Sequence, residues 1–362
     1  MPENSQPPPE LPQGPPAKMS RRNLLRTTAW AGGIAATGVI AGVAANRFGA
    51  RRPAGAKPAL GEEFTYDISH LQKTDPALIR CQEVKRFATG MERPRFLAAG
   101  PDGTIWVAGE AGIRKFSASG EQAGQFALKN AVWSLAVRTD GTILAGQKDQ
   151  ITVLDASGTE KAVWTGFDKS FLPTGIAEFK DALYVADAKN RRVLKLDGSG
   201  KAVGEIGKRD KDSGARGFVV PSPYFCVRVA KDGLVRVSNP GAHLIEAYTP
   251  EGTFEVAWGK ASFAVEGFCG CCNPVSFDLL PDGSFVTTEK GLPRVKLYNP
   301  HGEFSGVVAG PDAFPEYLAA ANGGASETAT AGIYTAVDPR GRILVLDSVG
   351  RDVRIYTLKA NA

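Results

Sequence analysis

From about residue 80 onward the chain is written in short apolar runs divided by glycine-bearing turns. Runs such as Ile105-Trp106-Val107-Ala108, Leu183-Tyr184-Val185-Ala186, Leu234-Val235-Arg236-Val237, Phe285-Val286-Thr287-Thr288 and Ile343-Leu344-Val345-Leu346 are rich in β-branched and aromatic residues and too short for helices, so they predict strands. A second run follows, as in Val193-Leu194-Lys195-Leu196, Val295-Lys296-Leu297-Tyr298 and Val353-Arg354-Ile355-Tyr356. Two turn marks recur between them. The first is Asp102-Gly103, Asp140-Gly141, Asp181-Ala182, Asp232-Gly233, Asp282-Gly283 and Arg340-Gly341; the second is Ser119-Gly120, Ser157-Gly158, Ser199-Gly200, Glu251-Gly252 and His301-Gly302. The two marks of a unit lie 17, 17, 18, 19 and 19 residues apart, which is the spread of one repeated supersecondary unit. Asp-Gly between apolar runs predicts a two-residue type I′ hairpin, whose central positions both need positive φ.

Four strands in roughly 40 to 55 residues make a propeller blade. Six first marks give six blades between Cys81 and Thr357, and the fold class is all-β, a six-bladed β-propeller. The sixth unit ends near Lys359 without a fourth strand, while Gln82 to Ala88 precedes the first blade and resembles the outer strands elsewhere. An N-terminal strand is therefore expected to close the ring, which removes the open sheet edge. The composition agrees: of 362 residues 43% are hydrophobic and 42 are glycine, against three methionines.

The net charge of +5 changes meaning once it is divided along the chain. Residues 1 to 60 hold eight Lys or Arg against Glu3 and Glu10, which leaves 35 basic and 36 acidic side chains in the rest. The propeller lacks the surplus of cations that drives phosphate binding, so nucleic acid is excluded as a partner. Seven prolines in the first sixteen residues keep 1–17 from regular structure. Ser20-Arg21-Arg22-Asn23-Leu24-Leu25-Arg26, followed by nineteen uncharged residues from Thr27 to Ala45, resembles a twin-arginine export signal. It departs from the commonest form at Leu24 and Arg26, where phenylalanine and lysine are usual. Residues 18–48 thus read as an export signal, cleaved after Ala45, or as a retained membrane anchor, and 49–80 as linker and tether. Either reading places the propeller at 81–359, in the periplasm or on the outer face of the cytoplasmic membrane.

Pro173-Thr174-Gly175-Ile176, followed by Leu183 to Val193 with Asp187, Asn190 and Arg191, resembles the NHL repeat. Gly214, Gly217, Phe218 and Pro221 repeat it in part, as do Val345-Leu346-Asp347-Ser348 and Arg351. The resemblance spans about 280 residues and implies a propeller used as a scaffold, ligand binder, lyase or lactonase-like hydrolase.

No phosphate-binding glycine loop, H-E-x-x-H or C-x-x-C-H motif occurs. The three histidines, His70, His243 and His301, fall in separate parts of the repeat and do not suit a three-histidine zinc centre. The unusual segment is Gly267-Phe268-Cys269-Gly270-Cys271-Cys272-Asn273-Pro274, just before the innermost strand of blade five at Val275 to Leu280. Three thiols in four positions can brace a loop as a Cys269–Cys272 or Cys271–Cys272 disulfide, hold a metal ion or iron-sulfur cluster, or cycle between dithiol and disulfide. Cys226 and Cys81 are expected to be remote from the segment. Asp187, Asn190, Asp347, Glu289 and Lys290 occupy the equivalent loop in their blades, and Trp258, Phe263, Phe268 and Phe314 lie in or beside long connections. The metal candidates are thus Cys269, Cys271 and Cys272, and the binding candidates Asn273, Phe268, His243 and Glu289. The function this supports is an exported or tethered binding or scaffold module, monomeric as a propeller, taking a protein or small molecule at its channel mouth. A metal- or cluster-bearing redox protein and a metal-dependent lyase or lactonase-like hydrolase are the alternatives.

Overall fold

The computed structural model describes residues 69–110, 112–322 and 331–360, within one compact unit, Asp67–Ala362. The proline-rich segment, the export signal or anchor, and linker residues 49–68 lie outside the described residues. No helix among the described residues is long and apolar enough to cross a membrane.

Twenty-four strands form six four-stranded antiparallel sheets. Blade one is β2 (Pro94–Ala99), β3 (Ile105–Gly109), β4 (Gly112–Phe116) and β5 (Gln122–Ala127). Blade two is β6 (Val132–Val137), β7 (Ile143–Gln147), β8 (Gln150–Leu154) and β9 (Glu160–Trp164). Blade three is β10 (Pro173–Phe179), β11 (Ala182–Asp187), β12 (Arg192–Leu196) and β13 (Ala202–Ile206). Blade four is β14 (Val227–Val229), β15 (Val235–Asn239), β16 (Leu244–Tyr248) and β17 (Phe254–Trp258). Blade five is β18 (Ser276–Leu279), β19 (Phe285–Thr288), β20 (Val295–Tyr298) and β21 (Phe304–Ala309). Blade six joins β22 (Ile333–Val337), β23 (Ile343–Asp347) and β24 (Asp352–Leu358) to the N-terminal β1 (Cys81–Ala88), with Cys81 opposite Leu358 and Phe87 opposite Val353.

Burial explains the two kinds of strand. Second strands such as β3 and β23 are buried along their whole length because a neighbouring blade covers each face, so they read as continuous apolar runs. Fourth strands such as β9 lie at the rim and are largely exposed. Hydrogen bonds stitch the inner strands around the ring. Ser134 donates to Pro173 O at 2.8 Å, Thr174 to Phe225 O at 2.8 Å, Arg228 to Asp278 at 3.1 Å and Thr288 to Ile333 O at 2.5 Å.

Two expectations are corrected. The hairpin turns are not type I′, because positive φ falls on a single residue, a glycine as at Gly103 (82°) and Gly141 (83°), or Lys180 (53°) in blade three. Gly103 N donates to Gly100 O and Gly100 N to Thr104 O, a type I turn closed by a glycine bulge, and the Asp102 carboxylate caps Thr104 N at 3.1 Å. The long connection after Gly310 is not all loop: it carries helix α1 (Pro315–Asn322). Of the stretch expected as linker, the end is packed against blade five, with Arg80 N donating to Val307 O at 2.9 Å.

Neighbouring blades also lock through their outer turns. Gly158, at φ 84°, lies against the Phe126 ring of the preceding blade, and a β-carbon there would sit 1.9 Å from it. Trp164 covers Gly200 and Trp258 covers Gly302 in the same way. Phe87 of the N-terminal strand covers Gly120, so β1 engages blade one as β5, β9 and β17 engage their successors.

Gly158→Ala is therefore expected to lower stability by about 2–4 kcal/mol, combining left-handed backbone strain with overpacking. Gly198→Ala, with nothing within 4 Å of the added carbon, is expected to change it by less than about 0.5 kcal/mol. Urea unfolding of both variants checks the pair, and equal losses would refute the lock.

Candidate binding site

The face that carries the connections between blades is organised by one repeated polar pair. Six positions after the turn glycine stand Gln147, Asn239, Glu289 and Asp347, with Asp187 at the matching end of β11. Each of the first three, and Asp187, reaches sideways to the backbone of the connection entering its blade. Gln147 donates to Asn130 O at 2.8 Å, and Asp187 accepts from Leu172 N at 3.1 Å. Asn239 accepts from Val219 N at 2.8 Å, and Glu289 from Cys269 N at 2.7 Å. The partner stands at the middle of the third strand: Thr152 on Gln147 at 2.7 Å, Glu246 on Asn239 at 2.9 Å, Lys296 on Glu289 at 3.0 Å and Arg354 on Asp347 at 3.2 Å. Asn190 serves the same frame, donating to Asp187 at 2.7 Å.

In blade five this pair grows into a buried ion cluster beneath the cysteine segment. Glu289 takes Arg294 Nε at 2.7 Å as well as Lys296, and all three side chains are buried. Lys296 donates to Gly267 O at 2.5 Å and stacks 4.5 Å from the centre of the Phe268 ring. Two cations face one carboxylate out of reach of water, and burial followed by the Arg294 charge outweighs Glu289, so the Lys296 ammonium is pushed down to about 8. Glu289 and Phe268, expected among the binding residues, are both buried, and Glu289 holds the segment from below through Cys269 N, Arg294 and Lys296.

The segment itself is held from three sides. Asn273, buried, donates to Cys269 O at 2.5 Å and Lys290 O at 3.0 Å and accepts from Lys290 N at 2.9 Å. His243, in the second-to-third-strand loop of blade four, donates through Nε2 to Gly270 O at 2.5 Å. Gly270 turns the chain at φ 72°. The three thiols part here. Cys269 is buried near Glu289 and Arg294, where burial and the Glu289 charge raise its thiol. Cys271 is exposed, and its sulfur lies 3.2 Å from that of buried Cys272. Burial raises the Cys272 thiol, against the pull of Ser222 and the Lys290 charge.

The expected three-thiolate metal set is not assembled: among the described residues no group of three His, Cys, Asp or Glu side chains is placed to hold a metal ion. The cause is the Glu289 bond, which fixes Cys269 in the blade interior while the next two thiols line the neighbouring cavity. Cys226 is buried and donates to Phe277 O at 3.5 Å, and Cys81 is buried at the start of β1, its thiol pushed up to about 12 by burial. Of the four aromatics, Trp258 packs on Phe285 and Tyr298, Phe314 is buried under Arg354, and Phe263 is exposed.

Cys272 and Val275 pack with Tyr224 and Tyr334, which lie at the central channel with Arg95, Trp133 and Phe225. Between these side chains a space of only about 10 Å³ is left, room for no more than one water. The open space is beside the axis. A cavity of about 260 Å³ is lined by Gly270, Cys271, Cys272, Asn273, Lys290, Gly291, Tyr317 and Ala321. The Lys290 ammonium stands 4.5 Å over the Tyr224 ring. A larger cavity of about 330 Å³ over blade one has its cations engaged, Arg93 on Glu110 at 3.3 Å and Arg114 on Thr89 O at 3.1 Å. Sequence reasoning missed Tyr224, Tyr317, Arg294 and Lys296; the visible signal was a charged residue at the centre of an otherwise apolar third strand.

No protein-family model matches the sequence, and no curated protein matches it. Among solved structures the chain is similar to a streptogramin B lyase, at 14% identity and a TM-score of 0.52 over 79% of this chain and 100% of the other. It is similar to a catalytically inactive histidine-to-alanine variant of virginiamycin B lyase from Staphylococcus aureus with quinupristin, at 14% identity and a TM-score of 0.51 over 77% and 99%. A chain of the mitotic checkpoint complex matches at 10% identity and a TM-score of 0.50 over 76% and 93%. At these identities the likeness is one of fold.

The buried ammonium has a pH signature. Lys296 loses its proton near pH 8 in the fold, whereas 10.5 is the ordinary value an unfolded chain shows. Between these values the unfolded state holds more protons, so this group's contribution to stability rises with pH, its penalty being complete below pH 8 and gone above 10.5. Unfolding free energies of the wild type and Lys296→Met are expected to shift in favour of the wild type by about 1–3 kcal/mol between pH 7.5 and 10. A pH-independent difference would show that the amine is not perturbed.

Proposed function

We propose that this chain is an exported or membrane-tethered, NHL-type propeller that acts as a binding or scaffold module, its ligand seated on the inter-blade face beside the cysteine segment. The observation that carries the reading is the cavity of about 260 Å³, open next to a central space of only about 10 Å³. Its wall is pre-organised. Asn273, His243 and Glu289 fix the backbone before any ligand arrives, so little ordering is left for binding to oppose. Tyr317 and Ala321 supply apolar surface, and Lys290 a cation beside it. That chemistry suits a small aromatic or amphipathic group, free or displayed on a protein loop. The propeller neighbours, which include lyases and a component of a protein assembly, are compatible with either kind of partner.

A fragment screen by ligand-observed NMR, using small aromatic acids and amines, tests the seat. Binding is expected in the wild type and is expected to fall at least about tenfold in Ala321→Trp, which fills the cavity. Fragments that bind Ala321→Trp equally well would move the seat elsewhere. The export reading is tested separately: Arg21→Lys with Arg22→Lys is expected to lower the exported fraction of the full chain at least about tenfold in a bacterium with a twin-arginine pathway. Unchanged export would overturn that assignment.

A further inference from the structure

The cysteine segment is braced without a cross-link. Glu289 holds Cys269 N, Asn273 ties Cys269 O to the Lys290 backbone, and His243 holds Gly270 O. The adjacent thiols of Cys271 and Cys272 are left outside this bracing, one exposed and one buried, 3.2 Å apart at the edge of the cavity. Consecutive α-carbons are about 3.8 Å apart, short of the roughly 4.4–6.8 Å that an unstrained disulfide spans. A bond between neighbouring cysteines is therefore strained, and strained, accessible disulfides exchange where relaxed buried ones brace.

We propose that Cys271 and Cys272 form a thiol–disulfide exchange site through which this face trades two electrons with the surface disulfide–dithiol couple of a partner protein. The proposal rests on the reading that partners dock beside this segment, and it names their chemistry. Cys271, being exposed, is the entering sulfur. Its thiolate attacks one sulfur of the partner's disulfide, that bond breaks, and the partner's second sulfur leaves as a thiolate. Cys272 then releases its proton to solvent and attacks the Cys271 sulfur, which frees the partner's other thiolate. The pair ends as a disulfide and the partner as a dithiol. The two protons lost from Cys271 and Cys272 balance the two taken up by the partner's thiolates. The same steps in reverse reduce the pair against a partner dithiol.

The surroundings suit this division of roles. Burial raises the Cys272 thiol, and the Lys290 cation near it offsets part of that. Ser222 lies beside the same sulfur. The remaining cysteines, Cys81, Cys226 and Cys269, are buried and none of them lines the cavity, Cys269 being held in the blade interior through Glu289, so they stay out of the exchange.

The test uses the full chain equilibrated in glutathione buffers of graded ratio, with alkylation and peptide mass spectrometry to count and locate free thiols. The expected result is one reversible two-thiol transition confined to Cys271 and Cys272. Cys272→Ala is expected to trap a mixed disulfide with glutathione on Cys271. Cys271→Ser is expected to slow reaction with an aromatic disulfide at least about tenfold, since the entering thiol is lost. Thiols that remain free in fully oxidised glutathione would overturn the proposal, as would a disulfide through Cys269, or one that a dithiol cannot reduce in the folded protein. The wild-type titration decides the matter even where a variant folds poorly. Fragment binding separates the two readings: binding to a wild type whose thiols fail to exchange sinks only the exchange, whereas binding that ignores Ala321→Trp sinks the docking site.

Discussion

Closure of the ring is the constraint from which the other features follow. Six sheets can bury both faces of their inner strands only if the last one meets the first. Here the meeting is made by residues 81–88, paired along β24 and carrying Phe87 onto Gly120. The contact is the same glycine-and-aromatic engagement that joins blade one to two through Phe126 and blade two to three through Trp164. Glycine is required there because the turn needs positive φ and because the ring of the previous blade occupies the space of a side chain. The N-terminal strand thus supplies an inter-blade lock as well as hydrogen bonds. A chain lacking it would expose the edge of β24 and leave blade one without its cover.

With the ring fixed, the inter-blade face becomes a rigid platform. Polar residues at the end of the second strand and the middle of the third meet inside four blades, and three of the four pairs reach out to hold the connection that enters their blade. Buried pairs of this kind add little net stability compared with apolar packing, but removing one partner leaves the other uncompensated. Their effect is positional. In blade five the pair is largest and is joined by Arg294, and it is there that the connection carries three cysteines. The same carboxylate that anchors the segment takes Cys269 out of it. What faces the cavity is then a dithiol, a different chemistry from the trithiolate that the spacing alone invited.

The sequence by itself determined the number of blades, the strand order within each, the closing role of the N-terminal strand and the place of the cysteine segment on the connection face. These are local or periodic properties: turn glycines, short apolar runs and repeat spacing constrain the backbone within a few residues, and a repeat multiplies the signal. Tertiary structure alone decided which polar groups are buried, that Phe268 is buried and Glu289 supports the site from beneath, that His243 grips Gly270, and that Tyr224 and its neighbours leave little space between them while open space lies beside Tyr317. Those outcomes depend on contacts between residues 20 to 100 positions apart and on the desolvation of charges such as Lys296, and neither distance nor burial is written in the local order of the residues.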